Sequence, residues 1–164
     1  MVIHQMLEAI SRNGNYVINI PLTPSGELDP GGEKTLTDMG DWMEINGEGI
    51  YNSTAWKVWG EGSVVMPSGN LGPKQAATPY TAKDIRFTVN NGSLYAWLMA
   101  WPTDNKVVVH SLPPNSGKVT SVSLLGNKEK LKWKQSGIGL VILLSGKQHC
   151  KFAYSLKISG TDIL

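Results

Sequence analysis

The sequence predicts a mainly β chain, an antiparallel β-sandwich preceded by a small α/β part, and three observations lead there. Residues 83–164 break into short apolar and β-branched runs separated by turn residues at close spacing, which is the signature of an antiparallel sandwich. The region before residue 54 reads as helix, turn, buried strand, turn and helix. Between them, residues 55–82 shift to Gly, Pro, Ser, Thr and Ala, the composition of a linker and a long loop.

Taken in order, Val2-Ile3, Met6-Leu7 and Ile10 recur at helical spacing, with Gln5, Glu8 and Arg12 between them. Gly14 stands where a C-terminal cap belongs, and Asn13-Gly14-Asn15 forms a chain reversal in which Gly14 takes positive φ. Tyr16-Val17-Ile18-Asn19-Ile20, stopped by Pro21, is short and apolar, which suits a strand covered on both faces. Such a strand needs partners that so short a region does not contain. Thr23-Pro24-Ser25-Gly26 is the next turn, and Asp29-Pro30 places an N-cap before a proline suited to a first helical turn. A helix follows over residues 30–45, with Leu36, Met39, Trp42 and Met43 on one side and Lys34, Asp38, Asp41 and Glu44 on the other. Asn46-Gly47 ends it.

In the connecting region, only Trp56-Lys57-Val58-Trp59 and Val64-Val65-Met66 look extended, and residues 66–81 read as a surface loop. Strands are then expected at 84–89 and 93–101, flanking the hairpin turn Asn90-Asn91-Gly92, and at 106–111, 118–125, 130–134, 137–144 and 152–158. No helix is expected in this half.

Several of these segments carry a family likeness. Asn13 to Pro21, the Gly26-Glu27-Leu28-Asp29 turn, and Gly40 to Tyr51 resemble the end of the catalytic barrel in family-29 α-L-fucosidases. Trp56 to Gly62, Asp84 to Thr88, and Leu94 to Leu98 running on to Trp101-Pro102 resemble the opening of that family's C-terminal β-sandwich. The chain departs from the pattern where Pro21-Leu22 replaces a common Gly-Pro and Thr54-Ala55-Trp56 a common Arg-Pro-Trp, differences that bear on subfamily and glycan preference. The resemblance implies that residues 1–54 are a helix-strand-helix remnant of a (β/α)8-like barrel and that residues 83–164 are the sandwich. It further implies a retaining enzyme that removes terminal α-L-fucose, fucosylated glycan as its partner, and a secreted, periplasmic or lysosomal location.

Size decides how much of that enzyme this chain can be. An eight-fold barrel needs roughly 250 residues, whereas the chain has 164. Retaining glycosidases use two carboxyl groups flanking one anomeric carbon. The resemblance puts both upstream of this chain, so no catalytic residue is expected within it. Asp29 is best read as a helix cap, and Glu27, Glu48 and Glu61 as turn or surface charges. His4, His110, His149 and Cys150 fit no zinc spacing, and no glycine-rich phosphate loop, nucleophile elbow or Cys-x-x-Cys pair occurs, so neither metal nor cofactor is expected. The single cysteine excludes an internal disulfide.

A net charge of +2 argues against nucleic acid as a partner. No apolar run approaches the roughly 20 residues that span a bilayer, and residues 2–10 lack the marks of a signal peptide. The candidate sugar-binding positions are Trp97 and Trp101, which a strand alternation would place with Tyr95 and Met99 on one face. A second function class is therefore a free-standing carbohydrate-binding or protein-interaction sandwich. The apolar N-terminal elements need covering, by the missing barrel, by folding back on the sandwich as a two-layer α/β unit, or by a second copy in a homodimer.

Overall fold

A computed structural model of the chain describes residues 2–64 and 79–164. The chain opens with helix α1 (Val2–Ser11) and, after an extended stretch, helix α2 (Pro30–Asn46), closed by a 3₁₀ turn at Gly47–Gly49. Eight strands follow: β1 (Thr54–Glu61), β2 (Ile85–Asn90), β3 (Ser93–Leu98), β4 (Lys106–Val109), β5 (Lys118–Leu124), β6 (Lys132–Ser136), β7 (Gly139–Leu143) and β8 (Tyr154–Thr161). They form a five-stranded sheet of order β1-β2-β3-β8-β5 and a three-stranded sheet of order β4-β7-β6. Every named pair is antiparallel, and the two sheets face each other as a sandwich.

The elements form where local chemistry directs. The Asp29 carboxylate accepts the Gly32 amide at 2.7 Å, and Pro30 occupies the first turn of α2, as the capping pattern requires. In the β2–β3 hairpin, Asn91 (φ 46) and Gly92 (φ 71) both take positive φ, the conformation that lets a two-residue loop match the twist of its strands. Gly60 sits at an irregularity in the β1–β2 ladder, where a Cβ would come within 2.7 Å of the Ile85 carbonyl.

Between the sheets lies the larger core, with Phe87, Leu94, Ala96, Leu98, Leu140 and Ile142 fully buried. Because side chains alternate along a strand, β3 turns Tyr95 and Trp97 the other way, where they meet α1 and α2. A second core results from Ile3, Met6, Leu7, Trp42, Tyr95, Trp97, Met99 and Ala153. The five-stranded sheet is thus covered on both faces, by its partner sheet and by the helices.

Four expectations need correction. Tyr16 to Ile20 is extended but joins no ladder, and Val17 is 88% exposed; a strand of this kind needs neighbours on its edges, and the described residues supply none. The positive φ at the first reversal falls on Asn13 (φ 62), while Gly14 donates its amide to the Ala9 carbonyl at 2.8 Å and its missing Cβ clears that same oxygen. Residues 54–61, mostly assigned by sequence to a linker beginning at residue 55, are the edge strand β1. Trp101 leaves the Trp97 face, because β3 ends at Leu98 and the chain bends; its indole instead packs against the sandwich core and meets Tyr154 edge-on at 4.8 Å. Most of the expected 66–81 loop, with Val65 and Met66, lies outside the described residues.

Candidate functional site

Two features of the helix-bearing side carry the functional argument: the layer that fixes the helices to the sandwich, and an open groove beside them.

The layer is organised around Arg86 on β2, which is fully buried. Its Nε donates to Glu8 Oε1 on α1 at 2.7 Å, and its remaining nitrogens serve the carbonyls of Glu61, Ile85 and Val64 at 2.9, 2.9 and 2.7 Å. Glu8, itself only 5% exposed, also accepts the Tyr80 hydroxyl at 2.9 Å and pairs with Arg12 at 3.0 Å. Trp59 lies under both guanidinium groups, 4.0 Å from Arg12 and 4.9 Å from Arg86. Burial, then the neighbouring Glu8 carboxylate, pushes the Tyr80 hydroxyl's pKa well above its ordinary value. Asp84, also buried, accepts from the amides of Val64 and Thr81 and from the Thr81 hydroxyl; burial pushes its carboxyl up, but these bonds outweigh it and hold the pKa below the ordinary value.

The C-terminal end of α2 is fixed by a second set of bonds. Trp42 Nε1 donates to the Ala153 carbonyl at 2.8 Å, and its ring lies 5.5 Å from that of Trp97. Trp97 Nε1 donates to Thr88 Oγ1, which donates to the Gly49 carbonyl at 2.8 Å. Asn90 donates to the carbonyls of Glu48 and Tyr51. Gly49 has to be glycine for close approach: a Cβ there would come within 2.6 Å of both Trp97 and Tyr95.

The groove, about 570 Å³, lies between the extended residues 16–21 and the helices, with Val2, Gln5, Ile18, Ile20, Gly32 and Thr35 on its walls. Tyr16 donates to Gln5 Oε1 at 3.0 Å, so the extended segment rests on α1. Val17, Leu22, Leu28 and Leu36 are all substantially exposed in this part of the chain.

The carboxylates named from sequence are not brought together as a catalytic pair. Asp29 caps α2, Glu27 accepts the Ser25 hydroxyl in an exposed turn, and Glu61 accepts the amides of His110 and Ser111, tying β1 to the end of β4. Glu48 is bonded to Lys157 and to the Tyr95 hydroxyl, which lower its pKa in that order. His4 bonds to the Phe152 carbonyl at 2.9 Å, and burial lowers its pKa. His110 bonds to the Ile138 carbonyl, and burial raises the pKa of Cys150, whose thiol points at the Ala153 carbonyl. Among the described residues no group of three such side chains could hold a metal ion. No described helix is long and apolar enough to cross a membrane.

Trp97 is fully buried between Trp42 and Tyr95, and Trp101 is half-buried with its Nε1 bonded to Asn105. The sequence reading missed Glu8 and Arg86. The signal available was an arginine amid the apolar run of β2, which in a strand covered on both faces requires a buried partner.

Comparison with known proteins agrees with this architecture. The family model described as the α-L-fucosidase C-terminal domain matches residues 78–159, and that described as α-L-fucosidase matches residues 1–48. The tissue α-L-fucosidase of Bos taurus is 29% identical over 165 residues, covering 97% of this chain and 31% of the relative. The plasma α-L-fucosidase of Homo sapiens is 28% identical over 164 residues, covering 97% of this chain and 32% of the relative. The crystal structure of the Thermotoga maritima α-fucosidase superposes with a TM-score of 0.72 at 20% identity, over 95% of this chain and 33% of that one. The chain thus spans about a third of the length of the relatives it matches. It belongs to the α-L-fucosidase family, the family-29 glycoside hydrolases, and carries the C-terminal portion with its β-sandwich domain.

Proposed function

We propose that this chain is the structural C-terminal portion of a retaining enzyme that removes terminal α-L-fucose from glycans, and that its role is to close and brace a catalytic barrel supplied by the remainder. The observation that carries this reading is the unpaired segment at residues 16–20 beside an open groove. A buried barrel strand has neighbours on both edges, and that is what this segment lacks. We divide the chain accordingly: residues 1–54 complete the barrel, 55–82 cross over and contribute β1, and 83–164 form the brace. In that arrangement the turn at Thr23 to Glu27 follows the last barrel strand, which would place it on the catalytic face.

Hydrolysis of 4-nitrophenyl-α-L-fucoside, assayed on this chain and on the full gene product side by side, tests the proposal. No turnover above buffer is expected from the chain, and hydrolysis from the full product. Turnover by the 164-residue chain that vanishes on replacing one of its own carboxylates would place the chemistry here instead. Inactivity of both would remove the fucosidase reading.

The exposed Val17, Leu22, Leu28 and Leu36 favour one further expectation. Taking a wholly exposed side chain of this kind to full burial is worth roughly 1.5–3 kcal/mol, less for the part-covered Leu28 and Leu36, and together these gains are expected to make the isolated chain associate at micromolar concentration. A two-fold dimer is the commonest closed arrangement. Light scattering combined with hydrogen exchange at Val17 to Ile20 checks it: slower exchange in the associated state is expected, and a monomer with freely exchanging amides there would refute the dimer.

A further inference from the structure

The two outer faces of the sandwich differ. The helices cover one. The other is the outer face of the three-stranded sheet, which no described element covers, and the pairing register fixes what it displays. Lys106, Leu143 and Lys132 form one row across β4, β7 and β6; Val108, Val141 and Lys134 form the next. Val107, Val109, Leu140 and Ile142 alternate with these residues and point into the core, and Trp133 packs against the same core. The three lysines are exposed, Leu143 is 48% exposed, and Val108 and Val141 are half-buried between them.

Strand spacing puts Lys106 and Lys132 roughly 10 Å apart across Leu143, and Lys134 roughly 7 Å along from Lys132. At physiological salt, charges repel over about 8 Å. Among the described residues none of the three lysines is in an ion pair. Lys128 and Lys130 extend the positive charge into the turn before β6. The nearby acids are Glu129 in that turn and Asp104, whose carboxylate accepts the Lys106 amide.

We propose that this face binds an anionic glycan, a chain bearing sulfate or carboxylate groups, with the lysines holding the charges and Val108, Val141 and Leu143 lying under the C–H faces of the sugar rings. Charge complementarity selects an anion. The face carries neither aromatic platforms for stacking bases nor arginine forks for phosphate, which disfavours nucleic acid. It also lacks the Trp and Phe anchors of an interfacial membrane surface. The choice of a glycan over an acidic protein rests on the fucosidase reading above, since an enzyme acting at glycan ends gains from holding the same polymer at a distance.

The test measures binding of this chain to dextran sulfate, with uncharged dextran, poly-L-glutamate, phosphatidylserine vesicles and duplex DNA as alternatives. Dextran sulfate should bind tightest and weaken as salt rises. The triple variant Lys106→Gln, Lys132→Gln, Lys134→Gln should lose at least tenfold in affinity. The corresponding Lys→Arg triple should retain binding, as should a charge-matched control, Lys83→Gln, Lys118→Gln, Lys151→Gln. Equal loss in the control, no binding at all, or equal or tighter binding to polyglutamate, vesicles or DNA would each overturn the proposal. Because the readout is binding and not hydrolysis, its failure leaves the fucosidase reading standing, and an inactive full product with intact dextran sulfate binding would count against that reading alone.

Discussion

Arg86→Met is expected to lower the free energy of unfolding by about 3–5 kcal/mol, the cost of leaving one partner of a buried ion pair without the other. Against a total of about 5–15 kcal/mol for a domain, that brings the chain to the edge of unfolding. The loss extends beyond Glu8, because Arg86 also satisfies the carbonyls of Glu61, Ile85 and Val64, and a methionine donates to none of them. Adding Glu8→Leu should recover only part of the loss: it removes a buried carboxylate that has lost its closest cation, but the carbonyls stay unserved and Tyr80 and Arg12 lose their acceptor. Arg86→Lys should fall between, as one ammonium cannot reproduce the fork. Urea denaturation of the four proteins measures this; a loss under about 1 kcal/mol for Arg86→Met would show that the buried pair contributes little.

Trp97→Ala should cost a similar amount, about 3–5 kcal/mol, through the cavity it leaves. Its indole fills the space between Trp42, Tyr95 and Gly49, so truncation should loosen α2 from the sheet before the sandwich itself melts. Hydrogen exchange should then show faster opening of α2 than of β3 and β8. Trp101→Ala, at a half-buried position, should cost less. A Trp97→Ala chain with undiminished stability but no affinity for fucosylated glycan would instead make this residue a sugar platform.

Elements with local causes were legible in the sequence. Asp29-Pro30 announces α2 because the cap and the proline act within one turn, and Asn91-Gly92 announces the β2–β3 hairpin because its backbone demands are local. The alternation of Leu94, Tyr95, Ala96 and Trp97 is enough to show that β3 is covered twice. What covers it was harder to read. Glu8 looks like an ordinary charge on a helix face, and only its meeting with Arg86, 78 residues on, explains its burial. Tyr16 to Ile20 shows the opposite limit: its composition suits a strand, but a ladder also requires partners, and these are not among the described residues. Trp101 was misplaced because strand alternation was carried past Leu98, where the ladder stops.

The sheet order has a consequence for how the molecule assembles. β8 lies between β3 and β5, pairing with both. A nascent chain that has not yet delivered Tyr154 to Thr161 therefore holds two open edges facing a gap, with the core between the sheets uncovered where Tyr154, Leu156 and Ile158 belong. Completion must wait for the last strand, joining segments far apart in sequence, which makes folding slow and leaves sticky edges available to other chains meanwhile. Chaperone demand during synthesis should accordingly peak before β8 emerges and fall sharply once it inserts.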